Sequence, residues 1–178
     1  MKDVIETRTE TTPKIGFRRP EATDGAAIWE LVRACKPLDE NSMYANIVQA
    51  DHFAETCILA EMDGRIVGWI SGHKLPDDPE TLFVWQVAVH ADARGHGLAG
   101  RMLRGLLDRP ACKDVKRLQT TITSNNAASW ALFTRFAERI GATLESEARY
   151  RNEDHFDGRH KTEHMVTITR GSAMRAVA

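Results

Sequence analysis

The sequence predicts one α+β domain built on a mixed, mostly antiparallel β-sheet that is flanked by helices. Three observations carry this prediction. Asp63-Gly64 separates two short apolar runs, which is a strong signal for a β-hairpin. Residues 87–107 have the pattern of a buried strand, a glycine-bearing loop and a helix. Strands and helices follow one another in the order βαα-βββ-α-β-α-β-β, without a linker long enough to divide them.

Composition supports a soluble globular enzyme. The chain has 178 residues, 42% of them hydrophobic and 28% charged, with a formal net charge of −1. A chain of this length and composition suits a single domain with a substantial core. No overall basic field attracts nucleic acid or anionic lipid, and no run approaches the roughly 18 apolar residues of a membrane span. We therefore expect neither a nucleic-acid partner nor a membrane partner.

The cysteines and the N-terminus indicate a cytoplasmic protein. The three cysteines are odd in number and widely spaced, which fits reduced thiols better than a disulfide framework. Residues 1–13 are polar and lack the apolar core of a secretory signal. We predict that residues 1–13 and 171–178 are disordered segments and that residues 14–170 form the domain.

The first half of the domain is predicted to hold four strands and two helices. A strand at 15–18 precedes a helix whose apolar positions recur at helical spacing from Asp24 and which ends before Lys36-Pro37. Ser42 can cap a second helix. The remaining strands are expected at 57–61, 66–71 and 81–89.

The second half begins with the helix that follows the glycine-bearing loop. Its apolar face is formed by Leu98, Met102, Leu103, Leu106 and Leu107. A strand at 115–123 and a helix at 126–140, ended by Gly141, come next. An antiparallel pair at 143–150 and 164–169 closes the sheet.

The loop before Leu98 carries the clearest chemical signal. A loop with Arg94, Gly95 and Gly97 that leads into a helix presents unpaired backbone N–H groups at the positive end of the helix dipole. That arrangement suits a pyrophosphate. Taken alone, the glycines could also serve only a tight turn.

A second segment matches the same pattern. Asn126 opens a helix, Ser129 follows three residues later and Phe133 seven residues later. Together with Arg94-x-x-Gly97-x-Ala99, this resembles the GCN5-related N-acetyltransferases (GNAT) over roughly residues 15–170. The chain has neither Gly-x4-Gly-Lys-Ser/Thr nor Gly-x-Gly-x-x-Gly, which disfavours other nucleotide-binding folds.

The resemblance implies acetyl-CoA as co-substrate. The strand at 84–89 would splay from the strand at 117–123 and leave a gap for the pantetheine arm and the thioester. Backbone groups near Val87, Ala88 and Val89 would hold the pantetheine amides and polarise the thioester carbonyl. The pyrophosphate would be held by the loop residues Arg94, Gly95, His96, Gly97, Leu98 and Ala99.

One position departs from the family pattern. Many members have a tyrosine where Phe133 stands, and its hydroxyl is thought to protonate the departing thiolate. Phenylalanine has no proton to donate, so we assign Phe133 to packing against the cofactor. Another group can serve, or the thiolate can leave unaided, since a thiol has a pKa of about 8.5.

Further segments resemble one branch of this superfamily. Leu38-Asp-Glu-Asn-Ser42 and Phe83-Val-Trp-Gln-Val87 are the most specific of them. They are similar to the L-2,4-diaminobutyrate acetyltransferases of ectoine synthesis. The implied reaction moves an acetyl group to the side-chain N4 amine of diaminobutyrate, giving N4-acetyl-L-2,4-diaminobutyrate.

An acceptor with two ammonium groups and a carboxylate needs acidic groups and hydrogen-bond donors. Asp39 could hold an ammonium, although it could also be a simple loop or capping residue. Asn41 and Tyr44 could bond to the amino-acid head, and Trp85 could form a wall of the pocket. Gln86 would face away from Trp85 unless a bulge intervenes.

The attacking amine must lose a proton, because a free alkylammonium has a pKa near 10. Asp39, Glu61 and His155 are the candidate catalytic residues for this step. We expect His160 and His164 to be surface or strand residues, and we expect no metal, because the spacing of this histidine- and acid-rich segment matches no usual ligand motif.

Two alternatives remain open from the sequence. The chain could acetylate another small amine, such as a polyamine or an aminoglycoside, or it could be a non-catalytic acyl-CoA-binding module. Members of the superfamily are often dimers, so a homodimer is compatible with the resemblance.

Overall fold

The computed structural model describes residues 14–171, so the disorder predicted for residues 1–13 and 171–178 concerns, apart from Gly171, positions outside the described residues. The strands are β1 Ile15–Arg18, β2 Ile58–Met62, β3 Arg65–Leu75, β4 Asp78–Val89, β5 Arg117–Thr123, β6 Thr143–Tyr150 and β7 Glu163–Thr169. The helices are α1 Gly25–Ala34, α2 Met43–His52, α3 Leu98–Leu107, α4 Ala127–Arg139 and the short α5 Asn152–Phe156.

The seven strands form one sheet in the order β1-β2-β3-β4-β5-β7-β6. Every neighbouring pair is antiparallel except β4 and β5, which run parallel. The predicted α+β class and the mixed, mostly antiparallel sheet are therefore confirmed.

The parallel pair separates soon after it forms. Only Thr81, Leu82 and Phe83 of β4 have partners in β5, at residues 117–119. Both strands continue beyond this point, to Val89 and Thr123. The backbone N–H and C=O groups of β4 that face the resulting gap have no ladder partner in β5. At the end of the strand the Val89 carbonyl accepts from Arg94 Nε at 2.9 Å, and the N–H groups are left for a ligand. This separation is the splay that the family resemblance implied.

Helices cover both faces of the sheet. On one face, α1 buries Ile28, Leu31 and Val32 against Trp69 of β3 and Ala88 of β4. The larger core lies on the other face, where α3 and α4 pack with buried side chains that include Met102, Leu103, Leu106, Phe133 and Phe136. The gap between β4 and β5 therefore opens on one side toward the groove between α3 and α4.

Several local signals act as predicted. The Ser42 hydroxyl accepts a hydrogen bond from Ala45 N at 3.1 Å and caps α2. Asp63 and Gly64 both have positive φ, 51° and 75°, as a two-residue hairpin turn of the primed type requires. Gly141 has φ 63° just after α4 ends.

Two elements differ from the prediction. β3 and β4 extend toward each other and form a second hairpin, because the ladder continues as far as the Leu75–Asp78 pair. Residues 152–156, predicted to be loop, form α5. No helix among residues 14–171 is long and apolar enough to cross a membrane.

Candidate active site

A cleft of about 430 Å³ lies between the first turn of α3 and one face of α4. Its α3 wall contains Val89 and much of the glycine-bearing loop. Its α4 wall is apolar near the start of the helix and basic near the end. The lining residues are Val89, Ala93, Arg94, Gly95, Gly97, Leu98, Ala99, Gly100, Ala128, Ala131, Leu132, Arg135, Phe136 and Arg139.

The start of α3 is built to receive an anion. Gly95 and Gly97 have φ of 85° and 65°, in the left-handed region that side chains with a Cβ avoid. Gly97 is the N-cap residue and offers no side-chain acceptor, whereas α2 and α4 are capped by Ser42 and Asn126. The first N–H groups of α3 therefore point into the cleft region without a capping partner. A diphosphate would satisfy them.

The predicted cofactor residues of the loop lie in this region. Those from Arg94 to Ala99 line the cleft, except His96, whose exposed side chain does not. The side chain of Val87 packs on the core that α3 covers, while Ala88 packs beneath α1, so only their backbone groups can serve a ligand in the gap.

The α4 residues differ from the prediction. Asn126 Oδ1 accepts a hydrogen bond from Ser129 N at 3.1 Å, so these two residues form the helix cap. Phe133 is 2% exposed and packs in the core, because it lies on the helix face turned to the sheet. The cleft is lined instead by a neighbouring face of α4, which contains Ala128, Ala131 and Leu132. The side chain of Phe133 is thus absent from the cleft lining, and its packing against the cofactor stays a prediction.

A bulge in β4 decides which side chains meet at the opposite mouth of the gap. Ser71 pairs with Gln86 and Gly72 pairs with Val84, so Trp85 has no partner in β3. A bulge of this kind turns the strand and re-aims its side chains. Trp85 is 54% exposed, so its ring is not part of the core.

The same bulge brings Gln86 to the loop before α2. Gln86 Nε2 donates to the Asp39 carbonyl oxygen at 2.9 Å, and Gln86 Oε1 accepts from Asn41 Nδ2 at 3.5 Å. The Asn41 carbonyl in turn accepts from Trp29 Nε1 at 3.0 Å. Two buried or half-buried side chains therefore fix the loop that carries Asp39.

Two carboxylates and one imidazole meet beyond this loop. His160 Nε2 lies 3.9 Å from Asp39 Oδ2 and 3.8 Å from Glu163 Oε1. The ring of His160 packs on that of Phe156, with 4.7 Å between centroids. His160 Nδ1 donates to the Lys161 carbonyl at 2.7 Å, which leaves Nε2 facing the two acids. The His160 side chain is 37% exposed and His164 lies in β7, as expected of surface and strand residues, but the sequence did not predict the two carboxylates beside His160.

The two acids have different surroundings. The Asp39 side chain is 91% exposed, whereas that of Glu163 is 18% exposed and its Oε2 is buried without a hydrogen-bond partner among residues 14–171. Burial raises the pKa of the Glu163 carboxyl above its ordinary value, His160 opposes this shift, and the charge of Asp39 adds to it. Glu163 therefore holds a proton more readily than an exposed glutamate does.

Other predicted residues have different outcomes. Tyr44 lies in the first turn of α2 and is 75% exposed, so its side chain is accessible to a ligand. His155 is exposed, and its Nδ1 accepts from Arg151 N at 3.1 Å at the start of α5. This contact orients the ring toward its own helix and leaves the position beside Asp39 to His160.

Glu61 lies apart from the other candidates. It belongs to β2, two strands from β4, which corresponds to about 10 Å across the sheet. Its Oε1 accepts from Arg18 Nε at 2.9 Å, and the same guanidinium binds Asp24 at 2.7 Å. Glu61 therefore takes part in an ion-pair network that connects β1 to β2.

Sequence reasoning did not select Glu163, Gln86 or His160. The signal for Gln86 was its place beside Trp85 in a strand that could bulge. Glu163 and His160 were visible only as members of an acid- and histidine-rich segment. Among residues 14–171, no group of three His, Cys, Asp or Glu side chains is arranged to hold a metal ion.

Residues 25–137 match the family model described as the acetyltransferase (GNAT) family. The L-2,4-diaminobutyric acid acetyltransferase of Methylotuvimicrobium alcaliphilum is 44% identical over 164 residues, covering 92% of this chain and 95% of the relative. The enzyme of the same name from Vibrio parahaemolyticus is 46% identical over 152 residues, 85% of this chain and 84% of its own length.

A solved structure agrees with these relatives. The diaminobutyrate acetyltransferase of Paenibacillus lautus, in complex with its substrate L-2,4-diaminobutyric acid and coenzyme A, is 42% identical. It superposes with a TM-score of 0.84 over 89% of this chain and 96% of that one. The protein therefore belongs to the GNAT acetyltransferases and, within them, to the L-2,4-diaminobutyric acid acetyltransferases.

Proposed function

We infer that the protein transfers the acetyl group of acetyl-CoA to the N4 amine of L-2,4-diaminobutyrate, giving N4-acetyl-L-2,4-diaminobutyrate for ectoine synthesis. The reaction is inferred from the family to which the chain belongs. The observation in this chain that carries it is the pair of carboxylates, Asp39 and Glu163, that meet at His160. A site with two negative charges complements a substrate with two ammonium groups.

The co-substrate enters from the opposite side. The cleft between α3 and α4 would hold the pyrophosphate on the backbone of residues 95–99, and the pantetheine arm would pass between β4 and β5. Unpaired N–H groups of β4 beyond Phe83 can hydrogen-bond the thioester carbonyl as negative charge develops on it. The acetyl-CoA supplies the activated acyl group, and its thiolate can leave without an acid.

We propose distinct roles for the two acids. Glu163 accepts the proton of the attacking ammonium, because burial makes this carboxylate more basic than an exposed one. Asp39 holds the second ammonium at the exposed rim. Asn41 and Tyr44 hydrogen-bond the amino-acid head, and Trp85 forms an aromatic wall.

The test is a turnover assay on the purified protein with acetyl-CoA and a panel of amines. We expect diaminobutyrate to exceed ornithine, lysine, putrescine and an aminoglycoside in kcat/KM, and the product to carry the acetyl group on N4 in its NMR spectrum. Equal activity on putrescine would favour a general amine acetyltransferase. Binding of acetyl-CoA with no acetyl transfer to any amine would favour a binding module.

We further propose that the protein works in the cytoplasm as a homodimer. Three buried cysteines without disulfides support a reducing compartment. Light scattering coupled to size-exclusion chromatography tests the assembly, since a mass near that of one chain would exclude the dimer.

A further inference from the structure

The α4 wall of the proposed cofactor cleft ends in two arginines that form no ion pair with the other described residues. Arg135 and Arg139 both line the cleft. Neither has a carboxylate within 4.0 Å among residues 14–171. Arg104 of α3, in contrast, lies 3.3 Å from Asp108. An unpaired arginine in a ligand cleft is free to bind an anion.

Both arginines lie toward the end of one face of α4. Ala128, Ala131, Leu132, Arg135 and Arg139 recur at helical spacing on one face. Arg139 therefore lies about 12 Å beyond Ala131 along the helix. The wall changes from apolar to basic over this distance.

Arg139 also reaches across the cleft. Its Nη1 lies 3.7 Å from the position that a Cβ on Gly100 would occupy, in the first turn of α3. A small residue at this point leaves room for the guanidinium beside the helix start. The arginine thus stands next to the diphosphate position without being part of the loop that holds it.

Coenzyme A carries a diphosphate and a separate phosphomonoester on the 3′-oxygen of its ribose. The backbone of residues 95–99 accounts for the diphosphate, but it offers nothing to the third phosphate. An arginine fork binds such a group through two parallel hydrogen bonds. We propose that Arg139, assisted by Arg135, binds the 3′-phosphate and makes the enzyme select coenzyme A over its 3′-dephospho form. This inference rests on the proposed placement of the cofactor.

Calorimetry with coenzyme A and 3′-dephospho-coenzyme A tests this inference without an acceptor. We expect the wild type to bind coenzyme A about tenfold more tightly, the size of one charge-assisted hydrogen bond. Arg139→Gln should lower the affinity for coenzyme A about tenfold and leave that for the dephospho form unchanged. Arg135→Gln should act in the same direction, less strongly. Raising the salt concentration should reduce the wild-type preference.

The matched control is Arg101→Gln. The Arg101 guanidinium packs 5.7 Å from the centre of the Phe17 ring and does not line the cleft, so this variant should keep the wild-type ratio. Equal loss of affinity for both forms in Arg139→Gln would overturn the inference and assign the arginine to the diphosphate or to folding. A wild type without preference would overturn it as well. Failure to acetylate diaminobutyrate, with the preference intact, would instead contradict the proposed function.

Discussion

Gln86 donates a hydrogen bond from Nε2 to the carbonyl oxygen of Asp39 over 2.9 Å, which connects the bulged strand β4 to the loop before α2. Gln86 is 7% exposed, so this bond is shielded from water. The strand that borders the gap between β4 and β5 therefore also sets the position of the loop with Asp39. Under the proposed function, Gln86 would connect the cofactor side of the site to the acceptor side.

Gln86→Met tests this coupling. Methionine keeps the length of the side chain but cannot hydrogen-bond, so the loop with Asp39 loses its anchor. We expect KM for diaminobutyrate to rise about tenfold and the affinity for acetyl-CoA to stay constant, with a loss of about 1 kcal/mol in stability. Steady-state kinetics and calorimetry check the two sides. An equal rise in both constants would mean that Gln86 supports the whole sheet and not the loop.

Asp39→Asn removes an acceptor-side charge and leaves the shape of the loop. We expect kcat/KM for diaminobutyrate to fall at least tenfold, while acetyl-CoA binding is unchanged, because Asp39 does not line the proposed cofactor cleft. Glu40→Gln is the matched control, since the Glu40 carboxylate pairs with Lys36 and Arg33. If Glu40→Gln were as damaging as Asp39→Asn, a general surface charge and not a specific contact would attract the substrate.

Glu163→Gln should lower activity and raise stability. Burial raises the pKa of this carboxyl, so the folded protein holds the proton more tightly than the unfolded chain does. The stabilisation from the proton is complete below the ordinary glutamate pKa and is lost as the pH rises through the raised value. Glutamine carries no charge, so the variant avoids the free-energy cost of a buried carboxylate at neutral pH. We therefore expect its Tm to exceed that of the wild type at pH 7 to 8, and the difference to shrink toward pH 4.

The activity of the same variant separates a base from a structural acid. We expect kcat to fall about 100-fold, the usual contribution of a positioned base, with CoA binding intact. Glu145→Gln, on the exposed face of edge strand β6, should change neither activity nor Tm. A Glu163→Gln enzyme with normal kcat but a higher KM would show that Glu163 only holds the substrate.

The sequence predicted those parts of the fold that depend on local signals. The Ser42 cap, the Asp63-Gly64 turn and the Gly97 loop each follow from the conformational preferences of a few residues. The splay between β4 and β5 came from the family resemblance, because no local pattern reveals where two strands separate.

The acceptor site was harder to predict because it depends on long-range contacts. Asp39 and Glu163 are 124 positions apart in the chain (163 − 39), and only the tertiary fold brings them to one imidazole. Trp85 of β4 has no partner in β3, and such a bulge re-aims side chains in a way that the period of two in a strand does not predict. His155 and His160 differ by five residues, and the short helix α5 decides which one faces Asp39.

The bulge itself depends on Gly72, which leads to a test of the whole acceptor geometry. A Cβ on Gly72 would lie 2.7 Å from the Phe83 carbonyl oxygen and 3.2 Å from that of Thr56, both of them backbone atoms that cannot move aside cheaply. We expect Gly72→Ala to cost about 1–3 kcal/mol of stability in chemical unfolding. The surviving folded protein should have a higher KM for diaminobutyrate, because β4 must shift beside Gln86. Gly16→Ala, in edge strand β1 with nothing within 4 Å of the new methyl group, is the control and should leave both quantities unchanged. A Gly72→Ala enzyme with wild-type stability would show that the two strands do not approach as closely as the bulge requires.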